Sequence, residues 1–169
     1  MRKRKWLNLW SFVTVCALLI CASAAFAGPV PDTGDPSERT CNPYSYTDLG
    51  NGIIKDNVTG LMWQKATATG TYTWQQAVDY CNNLSLGGYT DWYLPTILEL
   101  STLVYSSILL HSPTINTTYF PDTGQSYYWS STTLADSTGH AWGVYFYYGS
   151  VINDSKTDYN YVRAVRAGQ

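Results

Sequence analysis

Charge is what this sequence has least of: charged residues make up 13% of it, against 45% hydrophobic and 15% aromatic. A chain this apolar is not a disordered one. So few Lys and Arg also exclude a nucleic-acid binder that works by neutralising phosphates. Histidine is nearly missing, with His111 and His140 alone, both in turn-like contexts. No metal site can be built from so few cysteines alone, and with the histidines in turn-like contexts a zinc centre is not expected. There is no Gly-x-Ser-x-Gly elbow, no phosphate-cradling glycine loop and no dinucleotide fingerprint. Neither histidine stands in a triad motif. These absences argue against an enzyme and against a resident cofactor. They leave carboxylates that converge on folding as the one hydrolytic route open. No internal repeat occurs, which excludes a solenoid.

The basic residues are unevenly spread. Arg2, Lys3, Arg4 and Lys5 precede an apolar run from Trp6 to Ile20, and Ala25-Phe26-Ala27 stands before Gly28. Charged, apolar and small-residue parts in that order predict a signal peptide over residues 1–27, and with it export to the periplasm, the cell surface or the medium. A retained anchor is the alternative, because the apolar run is nearly long enough to span a bilayer; cleavage leaves no membrane span. Bulky Ile20 argues against a lipoprotein site at Cys21. Four of the ten basic residues and none of the twelve acidic ones lie in the leader, so the remaining 142 residues carry a formal charge of −6. Such a chain is repelled by anionic membranes and nucleic acid. Its length suffices to bury about two-thirds of the unfolded surface in one core. Only Cys41 and Cys81 outlast the leader, and two cysteines in an exported protein are expected to pair. Closing a loop of about 40 residues, the bridge would stabilise the fold by about 3–4 kcal/mol.

Residues 28–43 begin Gly-Pro-Val-Pro-Asp-Thr-Gly-Asp-Pro and read as a flexible lead-in to a domain at 44–169. Strand-like runs at 44–48, 52–56 and 61–65 are separated by glycine- and asparagine-rich turns. Thr73 with Gln76 forms a capping-box signature, and Trp74, Ala77, Val78 and Cys81 follow at helical spacing until Gly87-Gly88. Thr96 with Glu99 repeats the signature. It predicts a second helix whose Ile97, Leu98, Leu100, Leu103 and Val104 are buried. After a long polar connection (106–126), a strand is expected at 127–133. A hairpin follows, with arms at 140–148 and 151–154 joined by Gly149-Ser150 as a two-residue turn. That register puts Trp142, Val144, Phe146 and Tyr148 on one face and Tyr145 and Tyr147 on the other. A last strand spans 159–166. Strands, two helices, then strands make an α+β arrangement.

Six segments in this order resemble the Lcl C-terminal domain family. They are Thr59-Gly60-Leu61-Met62-Trp63-Gln64, Trp74-Gln75-Gln76-Ala77 to Tyr80-Cys81, Asp91-Trp92-Tyr93-Leu94-Pro95-Thr96 to Glu99-Leu100, Tyr128-Trp129-Ser130-Ser131-Thr132, Ala141-Trp142-Gly143-Val144, and Tyr161-Val162-Arg163-Ala164-Val165-Arg166. The likeness covers about residues 44–168. The family is named after the Legionella collagen-like adhesin, a surface protein that binds sulfated glycans, and the resemblance implies adhesion. More distantly, the pattern is similar to the formylglycine-generating enzyme family. That likeness implies a C-type-lectin-like fold, two helices packed on irregular antiparallel sheets. The copper chemistry of those enzymes needs cysteines near the C-terminus, and none follows Cys81. Many relatives in the adhesin-type family carry a cysteine where Ala164 stands, suited to bridge to the position of Cys81; here Cys41 is the only substitute.

Aromatic residues crowd the second half of the chain. Tyr offers a rigid ring and one hydroxyl at low entropic cost, the physics that fills antibody loops with it. Tyr127, Tyr145, Tyr147, Tyr148 and Tyr159 are the candidate contacts to a glycan or protein ligand, while Trp129 and Trp142 read as core. Asp154, Asp158 and Asn160 cluster oxygens that a calcium ion would use, against the simpler reading of a side-chain-stabilised turn. Asp56, Asn57 and Asp122 admit the same pair of readings. Arg163 and Arg166 are expected to pair with Asp91 and Glu99, tying the last strand to the helices. Six basic residues outside the leader are too few to carry over a polyanion specificity. The sequence therefore points to an exported, non-enzymatic binding module for a glycan or protein. Its rivals are a carboxylate-based hydrolase akin to the formylglycine-generating group and a structural envelope component.

Overall fold

The computed structural model describes residues 44–105 and 112–168. The leader, the lead-in, Cys41 and His111 lie outside the described residues. Pro43–Gln169 forms one compact unit. Among the described residues no helix is long and apolar enough to cross a membrane.

The chain starts with a hairpin of β1 (Tyr46–Gly50) and β2 (Ile53–Asp56), turned by Gly50, Asn51 and Gly52. All three have positive φ, 74°, 51° and 79°, a backbone that glycine and asparagine adopt most readily. β3 (Met62–Gln64) adds to β2 after a turn in which Asp56 accepts from Val58 N at 2.8 Å and from Thr59 Oγ1 at 2.8 Å. The Asp56 carboxylate is thus committed to its own turn rather than to a cation.

Helix α1 (Trp74–Asn82) starts as its cap predicts: Thr73 accepts from Gln76 N, and the Gln76 side chain accepts from Thr73 N. It buries Ala77 and Cys81 and leaves Gln76, Asp79 and Asn83 outside. Helix α2 (Ile97–Ser101) has the same box, built from Thr96 and Glu99. It is shorter than expected. Ser101 Oγ donates to Ile97 O and Thr102 Oγ1 to Glu99 O, the local competition for carbonyls that disfavours hydroxyl residues inside helices. Leu98 is a correction, for it is 80% exposed.

A second sheet runs in the order β4-β5-β6, with β4 (Tyr127–Leu134), β5 (Ser137–Tyr145) and β6 (Ser150–Ser155), all antiparallel. The β5–β6 hairpin does not turn on Gly149-Ser150. Tyr145 pairs with Ser150, so the turn holds Phe146, Tyr147, Tyr148 and Gly149. The reason is Phe146, a fully buried residue whose carbonyl accepts from Thr114 N and whose N–H donates to Ser126 O. Those bonds take it out of the β5–β6 ladder. Gly149, at φ 70°, closes the turn where a Cβ would meet Val104 Cγ1 at 2.7 Å.

The expected last strand is reduced to β7 (Val165–Arg166), which completes a first sheet ordered β1-β2-β3-β7. Residues 160–164 instead divide their backbone bonds among three segments. Asn160 pairs with Tyr72, Tyr161 with Tyr127 and Trp129, and Val162 and Ala164 accept from Ala68 and Gln64. This shared tail threads the molecule together, and two hydrophobic clusters fill the interior. One holds Trp63, Phe120, Tyr128 and Phe146; the other holds Cys81, Trp92, Trp129 and Ala164. Two small helices with two antiparallel sheets make the architecture α+β, as expected.

Candidate functional site

Four of the five candidate tyrosines come together. Tyr127 on β4 and Tyr145 on β5 are directly paired, and their rings stack at 4.2 Å and 13°. Such cross-strand aromatic pairs stabilise an antiparallel sheet. Tyr147 lies 5.8 Å from Tyr145 at 23°, and Tyr148 stands edge-on to both, 5.6 Å from Tyr145 and 4.5 Å from Tyr147. The four-residue turn moves Tyr148 onto the same side as Tyr145, correcting the face expected from strict alternation. Tyr148 is 70% exposed and Tyr147 38%, so the cluster ends in open rings over a half-buried stack. The pKa of Tyr145 is raised, chiefly by desolvation and then by its tyrosine neighbours, which keeps the phenol neutral.

Tyr159 is elsewhere. It lines an open cleft of about 630 Å³ with Thr71, Tyr72, Tyr80, Leu84 and Ser85, and with Gln76, Asp79 and Asn83 from the outer face of α1. The Tyr72 and Tyr80 rings are 5.2 Å apart. The Tyr72–Asn160 pair, with N–H to O distances of 2.9 and 3.0 Å, holds the Tyr159 segment alongside. None of the cleft's α1 residues stood among the candidates. Their signal was nonetheless present, since positions 76, 79, 80 and 83 recur at helical spacing on the side away from Ala77 and Cys81.

Asp154, Asp158 and Asn160 are also brought together. Asn160 Nδ2 donates to Asp154 Oδ2 at 3.0 Å, and Asp154 Oδ1 accepts from Ser155 N at 2.9 Å. A hydrogen bond with Asp154, then desolvation and the charge of Asp154, raise the Asp158 pKa, while His140 opposes the rise. His140 Nδ1 lies 2.8 Å from Ser137 Oγ. Among the described residues no group of three or more His, Cys, Asp or Glu is placed to hold a metal ion. The bonds present here are those of a side-chain-stabilised turn.

The arginines behave as structural groups, with one exchange of partner. Arg166 meets Asp91 as expected, Nε–Oδ1 at 2.7 Å and NH2–Oδ2 at 2.9 Å, and lies 3.8 Å over the Tyr89 ring. Arg163 pairs with Asp122 rather than Glu99. It is fully buried and donates to Gln64 O, Lys65 O, Thr67 Oγ1 and Thr123 Oγ1, with Asp122 Oδ1 at 3.4 Å. Glu99 is committed to its own helix cap and accepts from Tyr93 OH at 2.8 Å. Desolvation, then that bond, pushes the Tyr93 pKa up to about 12.

Among the described residues Cys81 has no disulfide partner, and desolvation pushes its buried thiol up to a pKa of about 12. Cys41, the partner expected for it, lies outside the described residues. Ala164 shares the buried cluster of Cys81.

An α+β module with an exposed tyrosine cluster and an open, aromatic-lined cleft is the class defined by this geometry. The family model of the Lcl C-terminal domain matches residues 52–166, and the chain belongs to that family. Among curated proteins none matches it.

Proposed function

We propose that this protein is an exported, non-enzymatic recognition module with a C-type-lectin-like fold, which binds a glycan or protein ligand at the bacterial envelope or cell surface. One observation carries the reading: the Tyr127, Tyr145, Tyr147 and Tyr148 cluster, a stacked pair ending in two open rings on a turn anchored by buried Phe146. Rings held in place before contact lose little entropy on binding, and each adds a hydroxyl to its apolar face. Membership of a family named for an adhesin supports the same direction.

The test is a glycan array and a cell-adherence assay with the protein expressed from the full sequence, with and without a chelator. Binding that falls at least about tenfold in Tyr148→Ala is expected. The chelator arm reads any calcium requirement. Absence of binding, together with turnover of a generic hydrolase substrate that Asp158→Asn abolishes, would overturn the reading in favour of a carboxylate-based hydrolase.

A further inference from the structure

The cleft beside α1 has a property that the hairpin cluster lacks. Four of its polar side chains each have one atom engaged in a way that dictates what the other presents. Gln76 Oε1 accepts from Thr73 N at 3.0 Å, which leaves Nε2 as a donor. Asn83 Nδ2 donates to Asp79 O at 2.8 Å, which leaves Oδ1 as an acceptor. Asp79 Oδ1 accepts from Gln75 at 3.0 Å and leaves Oδ2. Gln64 Oε1 accepts from Ala164 N, so Gln64 Nε2 must be the donor in its 2.7 Å bond with Tyr80 OH. The Tyr80 hydroxyl is therefore the acceptor in that bond, and its own hydrogen is left over. Among the described residues these four remaining atoms have no partner. They form a set of two donors and two acceptors in one cleft.

The ligand group that matches such a set is the hydroxyl, which donates and accepts at once. The rings of Tyr72, Tyr80 and Tyr159 add flat apolar surface beside it. A pyranose has the same two-sided chemistry, a face of C–H groups edged by hydroxyls. Along α1, the step from Gln76 to Asp79 and Tyr80 and then to Asn83 rises about 5 Å each time, roughly the length of one sugar ring. Charge selects further. Among the described residues no Lys or Arg lines the cleft and Asp79 does, so sulfated and uronic sugars are repelled. The frame is rigid: α1 is capped at Thr73, Trp74 Nε1 donates to Ser130 O at 2.9 Å, and Tyr159 is 64% exposed on a segment held by the Tyr72–Asn160 bonds.

We propose that this cleft is a binding site for a neutral oligosaccharide, whose rings rest on Tyr72, Tyr80 and Tyr159 and whose hydroxyls are read by Gln76, Asp79 and Asn83. The site is separate from the hairpin cluster. It deepens the recognition reading above and rests on it only in being non-enzymatic.

Isothermal titration of the protein expressed from the full sequence tests it. The probes are neutral tetrasaccharides of glucose, mannose, galactose, xylose and N-acetylglucosamine, with heparin as the polyanion arm. At least one neutral probe is expected to bind, heparin is expected not to compete, and Tyr159→Ala and Asp79→Ala are each expected to weaken binding at least about tenfold. Both positions are exposed, and melting curves confirm that the variants fold; Leu98→Ala on α2 is the unaffected control. No binding of any neutral probe, competition by heparin, or a smaller effect of either variant would overturn the site. Binding lost in Tyr148→Ala but retained in Tyr159→Ala would overturn it while leaving the hairpin reading in place.

Discussion

Tyr127 and Tyr145 face each other across the β4–β5 ladder with their rings 4.2 Å apart and 13° from parallel. The pair stands directly beneath the turn that carries Tyr147 and Tyr148. Its first effect is mechanical: it fixes where the two outer rings stand.

Separate roles for stack and tip are therefore expected. Tyr145→Ala removes a ring that contacts three others, and should lower stability by about 1–2 kcal/mol. Tyr148→Ala, at an open position, should stay within about 0.5 kcal/mol of the parent. Urea denaturation of both variants alongside adherence measurements separates them. A tip variant that costs as much stability as the stack variant would show the outer rings to be packing residues.

Arg163 is expected to be among the most sensitive positions in the chain. Its guanidinium satisfies the carbonyls of Gln64 and Lys65 and the hydroxyls of Thr67 and Thr123 inside the core. Arg163→Ala leaves those groups unpaired around a void and should cost about 3–5 kcal/mol. Arg163→Lys restores charge but not the forked donor geometry, so little of the loss should return. Near-parental urea midpoints for both variants would remove Arg163 from its structural role.

The acidic residues set opposing pH dependences. The Arg166 hydrogen bonds hold Asp91 below the ordinary value of 3.8, and a bond to Lys65 does the same for Asp48. Their stabilisation is fully present above that value and is lost as pH falls through the lowered ones. Asp158 is raised by Asp154. Its contribution is present at low pH and is lost as pH rises through the raised value. Asp91→Asn should therefore flatten the acid limb of a melting-temperature profile between about pH 2 and pH 8. Asp158→Asn should raise the neutral-pH melting temperature by relieving repulsion. A fall instead would assign Asp158 a favourable partner when charged. Calcium that raised the parental melting temperature, but not that of Asp158→Asn, would place an ion on this turn.

The Cys81 thiol, buried and with its pKa near 12, should be silent to alkylating reagents in the native protein, because only an accessible thiolate reacts. The expected outcome is a denatured, unreduced sample that stays silent and gains two reactive thiols only on reduction, which demonstrates the Cys41–Cys81 bridge. Reactivity on unfolding without reductant would refute the expected bridge to Cys41.

What could be read in advance was local. Thr73 with Gln76 and Thr96 with Glu99 announced both helices because a capping box closes within three residues. The turn at Gly50-Asn51-Gly52 was legible because few residues adopt its backbone. The failures were all of longer range. Alternation placed Tyr148 opposite Tyr145, but the burial of Phe146 and its backbone bonds to Thr114 and Ser126 end the strand at Tyr145. Leu98 read as core because its neighbours are, yet a helix of one and a half turns buries a single narrow edge.

Local pattern and composition by themselves determined the α+β order, the poverty of cationic surface and the presence of more tyrosine than one core can hide, since these depend on residue type and near neighbours. Only the tertiary structure decided that Arg163 meets Asp122 and not Glu99, and that Tyr159 parts from the other four tyrosines to join Tyr72 and Tyr80. It also decided which atoms of Gln76, Asp79, Tyr80 and Asn83 remain unpaired. The arginine pairing, the place of Tyr159 and the free hydrogen of Tyr80, which Ala164 sets through Gln64, depend on contacts made across the shared C-terminal segment; there residues far apart in sequence compete for the same few hydrogen bonds, and no local pattern records which of them wins.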